Sequence, residues 1–169
     1  MHAQDSQGPQ NQDNNQAEGD FQILKVYVKD VSFESPKTPE IFKDDWQPEA
    51  NIELNTNANK VEGGDDHYEV SLTITITAKT NEETTFLIEI TQAGIFQIKG
   101  INDAEQTEHL LGSYCPSILF PYARETISGI VSRGGFPQLA LAPINFDMLY
   151  AQNKQQAQNQ QTQSQQEAN

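Results

Sequence analysis

The sequence predicts an α+β fold, a four-stranded antiparallel sheet followed by two or three helices packed on it. Three observations carry this. Residues 21–34, 51–56, 67–79 and 84–92 alternate apolar with polar side chains or are rich in β-branched and aromatic ones. After Gly100 the apolar spacing changes to three and four, the period of a helix. Strands never alternate with helices, as a parallel α/β sheet would require.

The first strand reads FQILKVYVKDVSFE. Strict alternation places Phe21, Ile23, Tyr27, Val31 and Phe33 on one face. Leu24, Val26 and Val28 begin the other face, which then ends in Asp30 and Glu34. A strand apolar on both faces needs cover on both sides, so a contact between subunits is expected. Residues 35–49 carry Pro36, Pro39 and Pro48 and no period, and read as an ordered loop holding Ile41, Phe42 and Trp46. The second strand, 51–56, turns Ile52 and Leu54 to one side, and Gly63-Gly64 with Asp65-Asp66 mark a turn over 57–66. In the third strand Tyr68, Val70, Leu72, Ile74 and Ile76 face inward, while Glu69, Ser71, Thr73, Thr75 and Thr77 face water. Asn81, Glu82 and Glu83 turn into the fourth, where Phe86, Ile88 and Ile90 point inward and Leu87 and Glu89 outward.

Asp103 is the expected cap of a helix carrying Leu110, Leu111 and Tyr114. Pro116 and Pro121 are expected to interrupt or kink it before it resumes through Ile127, Ile130 and Val131 to a stop at Gly134-Gly135. FPQLALAP, 136–143, reads as an extended apolar loop. Asn145 caps a last helix with Phe146, Leu149 and Tyr150 on one side. The two ends differ from this middle. Residues 1–20 form an acidic, polar stretch and 152–169 are nearly all Gln and Asn, so both are expected to be disordered tails around a single domain over 21–151. Gln and Ala are good helix formers, so the last helix extending a turn or two into the C-terminal tail is the alternative.

The chain carries a net charge of −14 and a pI near 4.4. Nucleic acid and acidic lipid are therefore poor partners, since each calls for a basic face. Basic or apolar polypeptide suits such a field better. One cysteine, Cys115, excludes an internal disulfide and fits a reducing compartment. No signal peptide and no apolar run of spanning length is read, so no direct membrane insertion is expected and the expected location is cytoplasmic.

No catalytic constellation emerges. Glycine patterns for nucleotide phosphates are missing, and His2, His67 and His109 stand too far apart to pair at metal-ligand spacing. Cys115 precedes a proline in an apolar run and reads as a packed thiol. The pairs Asp44-Asp45, Asp65-Asp66 and Glu82-Glu83 fall in loops, where solvated charge is the ordinary role. The expectation is a binding protein, with no cofactor and no metal. Two features are odder. Acidic residues are interleaved with apolar ones on strands: Asp30 and Glu34 on one, Leu87 and Glu89 on another. Aromatic and proline residues crowd EIFKDDWQP, SILFPYA and GGFPQLALAP, which would suit an apolar groove for extended polypeptide.

The segments FQILKVYVKDVSFESP, FKDDWQPE, EETTFLIEITQAGIF, GSYCPSILFPYARETI and SRGGFPQLALAPINFD resemble the SecB family of bacterial protein-export chaperones. The resemblance runs over about 21–150 and leaves out the tails. It implies homotetramers, as dimers of dimers, that hold unfolded secretory and outer-membrane precursor proteins without ATP and pass them to the translocase ATPase SecA. It further implies that Asp30, Glu34, Leu87 and Glu89 bind SecA. A client peptide groove would involve Trp46, Ile52, Leu54, Tyr122 and Tyr150. The C-terminal segment, a secondary SecA contact in the family, is here rich in Gln and Asn with few charges, and no site residue is assigned to it. Two alternatives remain open on the sequence: a SecB-like chaperone dedicated to an antitoxin, and an acidic nucleic-acid mimic that inhibits a DNA-binding enzyme.

Overall fold

A computed structural model describes residues 19–43, 45 and 48–167, with side chains as far as Thr162. The expected tail over 1–18 and Trp46 lie outside the described residues. Four strands, β1 (Asp20–Glu34), β2 (Glu49–Lys60), β3 (His67–Thr80) and β4 (Glu83–Lys99), form one antiparallel sheet in the order β1-β4-β3-β2. β2 and β4 run well beyond the strands expected over 51–56 and 84–92. Their extra residues, among them Asn57, Asn59 and Gly94, are poor strand formers on their own. They are held by pairing: Lys60 stands opposite Tyr68, and Tyr68 opposite Phe96. Asn81 and Glu82, at φ of 50° and 67°, close the β3–β4 hairpin in the left-handed conformation that matches strand twist.

Helix α1 (Ala104–His109) starts where Asp103 Oδ1 accepts from the Glu105 amide at 2.9 Å. A π turn over Leu110–Tyr114 joins it to α2 (Cys115–Arg133). The two prolines do not break α2. Pro116 sits in its first turn, directly after the π turn. Pro121 lies on the exposed side, as does Ser117, whose carbonyl it leaves to water. Leu119, Ala123, Ile127 and Val131 recur every four residues and meet Leu72, Ile74, Ile76, Phe86, Ile88 and Ile90 in the core, all at most 1% exposed. Since α2 packs mainly on β4 and β3, the sheet's two edges are only partly covered on the helix side, by contacts such as Phe21 with Tyr114 and Phe33 with Phe136.

Helix α3 (Phe146–Glu167) is capped by Asn145 Oδ1, which accepts from the Met148 amide at 3.0 Å. It continues to Glu167, through a stretch expected to be disordered from Gln152 onward. Beyond Lys154 its described side chains are exposed, so helix propensity rather than packing supports that part.

The faces of β1 also depart from expectation. Its register against β4 slips between Ile23 and Lys25 and again between Val28 and Asp30, leaving Leu24 and Lys29 as bulge residues. Each slip restarts the alternation. Phe21, Ile23, Val26, Val28, Val31 and Phe33 therefore all stand opposite residues on the helix side of β4, and Tyr27 turns to the other face. The strand has one apolar face, not two, and that face is half open: Ile23, Val28 and Val31 are 48%, 46% and 44% exposed.

Candidate functional site: two faces of one sheet

The face away from the helices carries the first set of candidate residues. Glu34 pairs with Leu87, Ser32 with Glu89 and Asp30 with Thr91, so Asp30, Glu34, Leu87 and Glu89 share this face within three cross-strand rows. Glu89 is held upright by Thr75, whose Oγ1 donates to Glu89 Oε2 at 3.0 Å. The neighbouring row is tied by a Thr73–Thr91 hydroxyl pair at 3.0 Å. Glu53 on β2 lies opposite Thr75 and extends the acidic row across the sheet. Sequence reasoning missed Thr75 and Glu53, because only strand register puts them in line with Glu89.

Charge is unevenly distributed along this face. Toward the far end of β1, Lys29 reaches from its bulge to an ion pair with Glu69 on β3. The Lys29 hydrogen bond lowers the Glu69 pKa, and Glu69 in turn raises that of Lys29. Tyr27 joins them and its phenol is pushed up, mainly by burial and then by Glu69. That end is self-neutralised. At the other end, no ion pair among the described residues engages Asp30, Glu34 or Glu89. Leu87 is left half-buried among carboxylates that no described cation neutralises.

The helix side carries the second set. Ile52 and Leu54 pair with Ile76 and Ile74 and so face the helices, at the β2 edge beside the strands on which α2 chiefly packs. Ile52 stays 44% exposed, and Leu54 packs partly against the core. Further along β2, a groove of about 460 Å³ opens between Thr56, Asn57 and Ala58 on one wall and Leu111, Gly112 and Tyr150 on the other. Glu108, Asn153 and Lys154 rim it. Gly112, in the π turn, makes the second wall possible: a Cβ there would lie 2.6 Å from Tyr150 Cδ2. The Tyr150 ring also meets His109 edge-on at 5.3 Å and lies under Lys154 Nζ at 5.8 Å.

Helix α3 is clasped in this position. Ser113 Oγ donates to Asp147 Oδ1, and His109 Nε2 lies 2.9 Å from the same oxygen. These contacts, Ser113 foremost, lower the Asp147 pKa. Two turns on, Lys154 donates to Glu105 at 3.0 Å. Tyr122 does not join the groove. It stands on the exposed side of α2 and is 50% exposed.

Cys115 is fully buried, and burial pushes its thiol up to about 12. Its nearest histidine in sequence, His109, is engaged with Asp147. Among the described residues, no cluster of metal-ligating side chains occurs and no helix is long and apolar enough to cross a membrane. What the arrangement offers is an acidic surface on β1 and β4 and a largely apolar groove beside β2, on opposite sides of one sheet.

Known proteins share this chain's sequence and fold. The SecB family model, preprotein translocase subunit SecB, matches residues 13–157. A protein-export protein SecB of Azotobacter vinelandii is 55% identical over 132 residues, 78% of this chain and 80% of the relative. One of Alkalilimnicola ehrlichii is 50% identical over 146 residues, 86% and 76% of the two chains. Among solved structures, a SecB-like chaperone of Mycobacterium tuberculosis, in complex with a peptide from an antitoxin, superposes with a TM-score of 0.62. That likeness covers 73% of this chain and 90% of the other at 16% identity, and is one of fold. By family match and by identity to its relatives, the chain belongs to the SecB family.

Proposed function

We propose that this protein is an ATP-independent export chaperone of the cytoplasm, with residues 21–151 as its working domain. It binds unfolded secretory and outer-membrane precursors on the helix side of its sheet and docks SecA on the open side. The observation that carries this is the two-sided sheet: an apolar groove on one side and, on the other, an acidic patch around Leu87 with no ion pair among the described residues.

Client capture follows from burial of apolar side chains, at about 25 cal/mol per Å². Ile52 and Leu54 on β2 and Tyr150 on α3 offer such area, with Tyr122 and Trp46 as further contacts of the proposed client surface. Many weak patches add through avidity and ask little of client sequence. A folded client hides the residues that would bind, so selectivity for unfolded chains needs no energy source. Asp30, Glu34, Leu87 and Glu89 make the proposed SecA contact, in which a basic partner surface closes over Leu87.

The half-open apolar face of β1 supports a homotetramer, since Ile23, Val28 and Val31 need cover that the described residues do not supply. Light scattering coupled to size exclusion tests the whole reading. A particle of about four times the 18.9 kDa chain mass that retains an unfolded precursor but not its folded form is the expected result. A monomer that retains neither form would overturn it.

A further inference from the structure

Gln92 is a buried amide in an apolar row. It lies on the helix side of β4 at 2% exposure, between Ile88 and Ile90 on one side and Phe96 and Ile98 on the other. Its Nε2 donates to the Tyr27 carbonyl at 2.9 Å, while its Oε1 has no hydrogen-bond partner among the described residues. A half-satisfied amide in a core is less favourable than an apolar side chain of the same shape. The favourable half of the amide shows what it does. Gln92 stands opposite Val28, at the point where the register of β1 slips to Asp30. A bulge disrupts the main-chain ladder around it, and the Gln92 amide reaches into that disruption.

We propose that Gln92 is a positioning residue whose side-chain amide clasps β1 at the Lys29 bulge and so holds Asp30 and Glu34 in place on the open face. Without the bulge, alternation from Val28 would turn Asp30 and Glu34 toward the helices and Val31 and Phe33 outward. Burial of Phe33 against Phe86 and Phe136 opposes so complete a slip. The clasp therefore acts on local order, setting where Asp30 stands relative to Thr91 and Glu89. This role presupposes that the open face docks SecA, as proposed above.

The test uses the full-length oligomer and Gln92→Met, which keeps the side chain's size while removing both the donor and the orphaned oxygen. Hydrogen-exchange protection of Lys29, Asp30 and Val31 should fall about 5–10-fold, as expected for one lost hydrogen bond, with β2 and β3 unchanged. SecA affinity should fall by a similar factor, with precursor retention and melting temperature unaltered. In the unsubstituted protein, one Gln92 side-chain amide proton should exchange slowly. Free exchange of that proton, or full protection of the bulge amides in Gln92→Met, would overturn the proposal. So would a changed oligomeric mass with intact bulge amides, which would assign Gln92 to a subunit contact instead. Loosened bulge amides with unchanged SecA affinity would leave the clasp standing and sink the docking reading.

Discussion

Replacing Gly112 by alanine should deform the proposed client groove through a single contact. The new Cβ would land 2.6 Å from Cδ2 and 2.7 Å from Cε2 of Tyr150. Carbon atoms attract best at about 3.5–4.0 Å, so the ring must retreat by roughly 1 Å. It cannot do so cheaply. His109 meets its edge, and Asp147, one turn before it, is held by Ser113 and His109. Overpacking of this kind costs about 1–3 kcal/mol. Against it, glycine to alanine within a helix gains roughly 0.5–1 kcal/mol. The net loss is about 1 kcal/mol, which corresponds to a melting temperature lower by about 2–4 °C for a chain of this size. If the displaced ring narrows the groove by a similar energy, an unfolded precursor should dissociate about five-fold faster, read by biolayer interferometry. The background variant Tyr150→Ala is the control. There Gly112→Ala should be neutral or stabilising by roughly 0.5–1 kcal/mol, because nothing remains to clash. Equal damage in both backgrounds would refute the idea that Gly112 shapes the groove by admitting Tyr150.

Three further outcomes are expected. Glu89→Lys should weaken SecA binding roughly ten-fold in calorimetry while leaving precursor retention unchanged, since the two surfaces lie on opposite sides of the sheet; a parallel loss of both would show that the faces are not independent. Cys115 should resist iodoacetamide at pH 8 in the folded protein and react only after denaturation, because burial pushes its thiol up to about 12. Labelling at the unfolded rate would contradict that burial. Asp147 has a pKa depressed below its ordinary 3.8, so its stabilising contribution is present above that value and lost as pH falls through the lower folded one. The stability difference between the natural protein and Asp147→Asn should therefore shrink in acid, and a gap that is constant in urea titrations from pH 6 to pH 2, as roughly spaced points, would count against the Ser113–Asp147–His109 clasp.

In the proposed function the two surfaces divide their tasks by physical character. Apolar burial along β2 is indifferent to client sequence and suits a partner that varies. The acidic patch is directional, and its charges sit at defined positions in the sheet, which suits one recurring partner. Because one sheet carries both, β1 and β4 on one side and β2 on the other, their relative placement depends on the rigidity of the strands between them. Core side chains of β3 and β4 at or near zero exposure, locked under Leu119, Ala123, Ile127 and Val131, provide that rigidity.

Much of this was legible in the residues. The inward sets on β3 and β4, the caps at Asp103 and Asn145, and the helical placement of Phe146, Leu149 and Tyr150 all follow from local periods and capping chemistry, which depend only on near neighbours in the chain. The length of β2 and β4, the π turn that leaves α2 unbroken, and the separation of Tyr122 from the groove were not legible. Nor were the faces of β1. Strict alternation would put Tyr27 with Phe33 and give the strand two apolar sides, whereas bulges at Leu24 and Lys29 give it one. Alternation is a property of a single strand, but register is a property of a pair. Which residue of β1 is passed over is decided by what β4 offers opposite it, including the Gln92 amide, and those groups lie some sixty-five residues away in sequence.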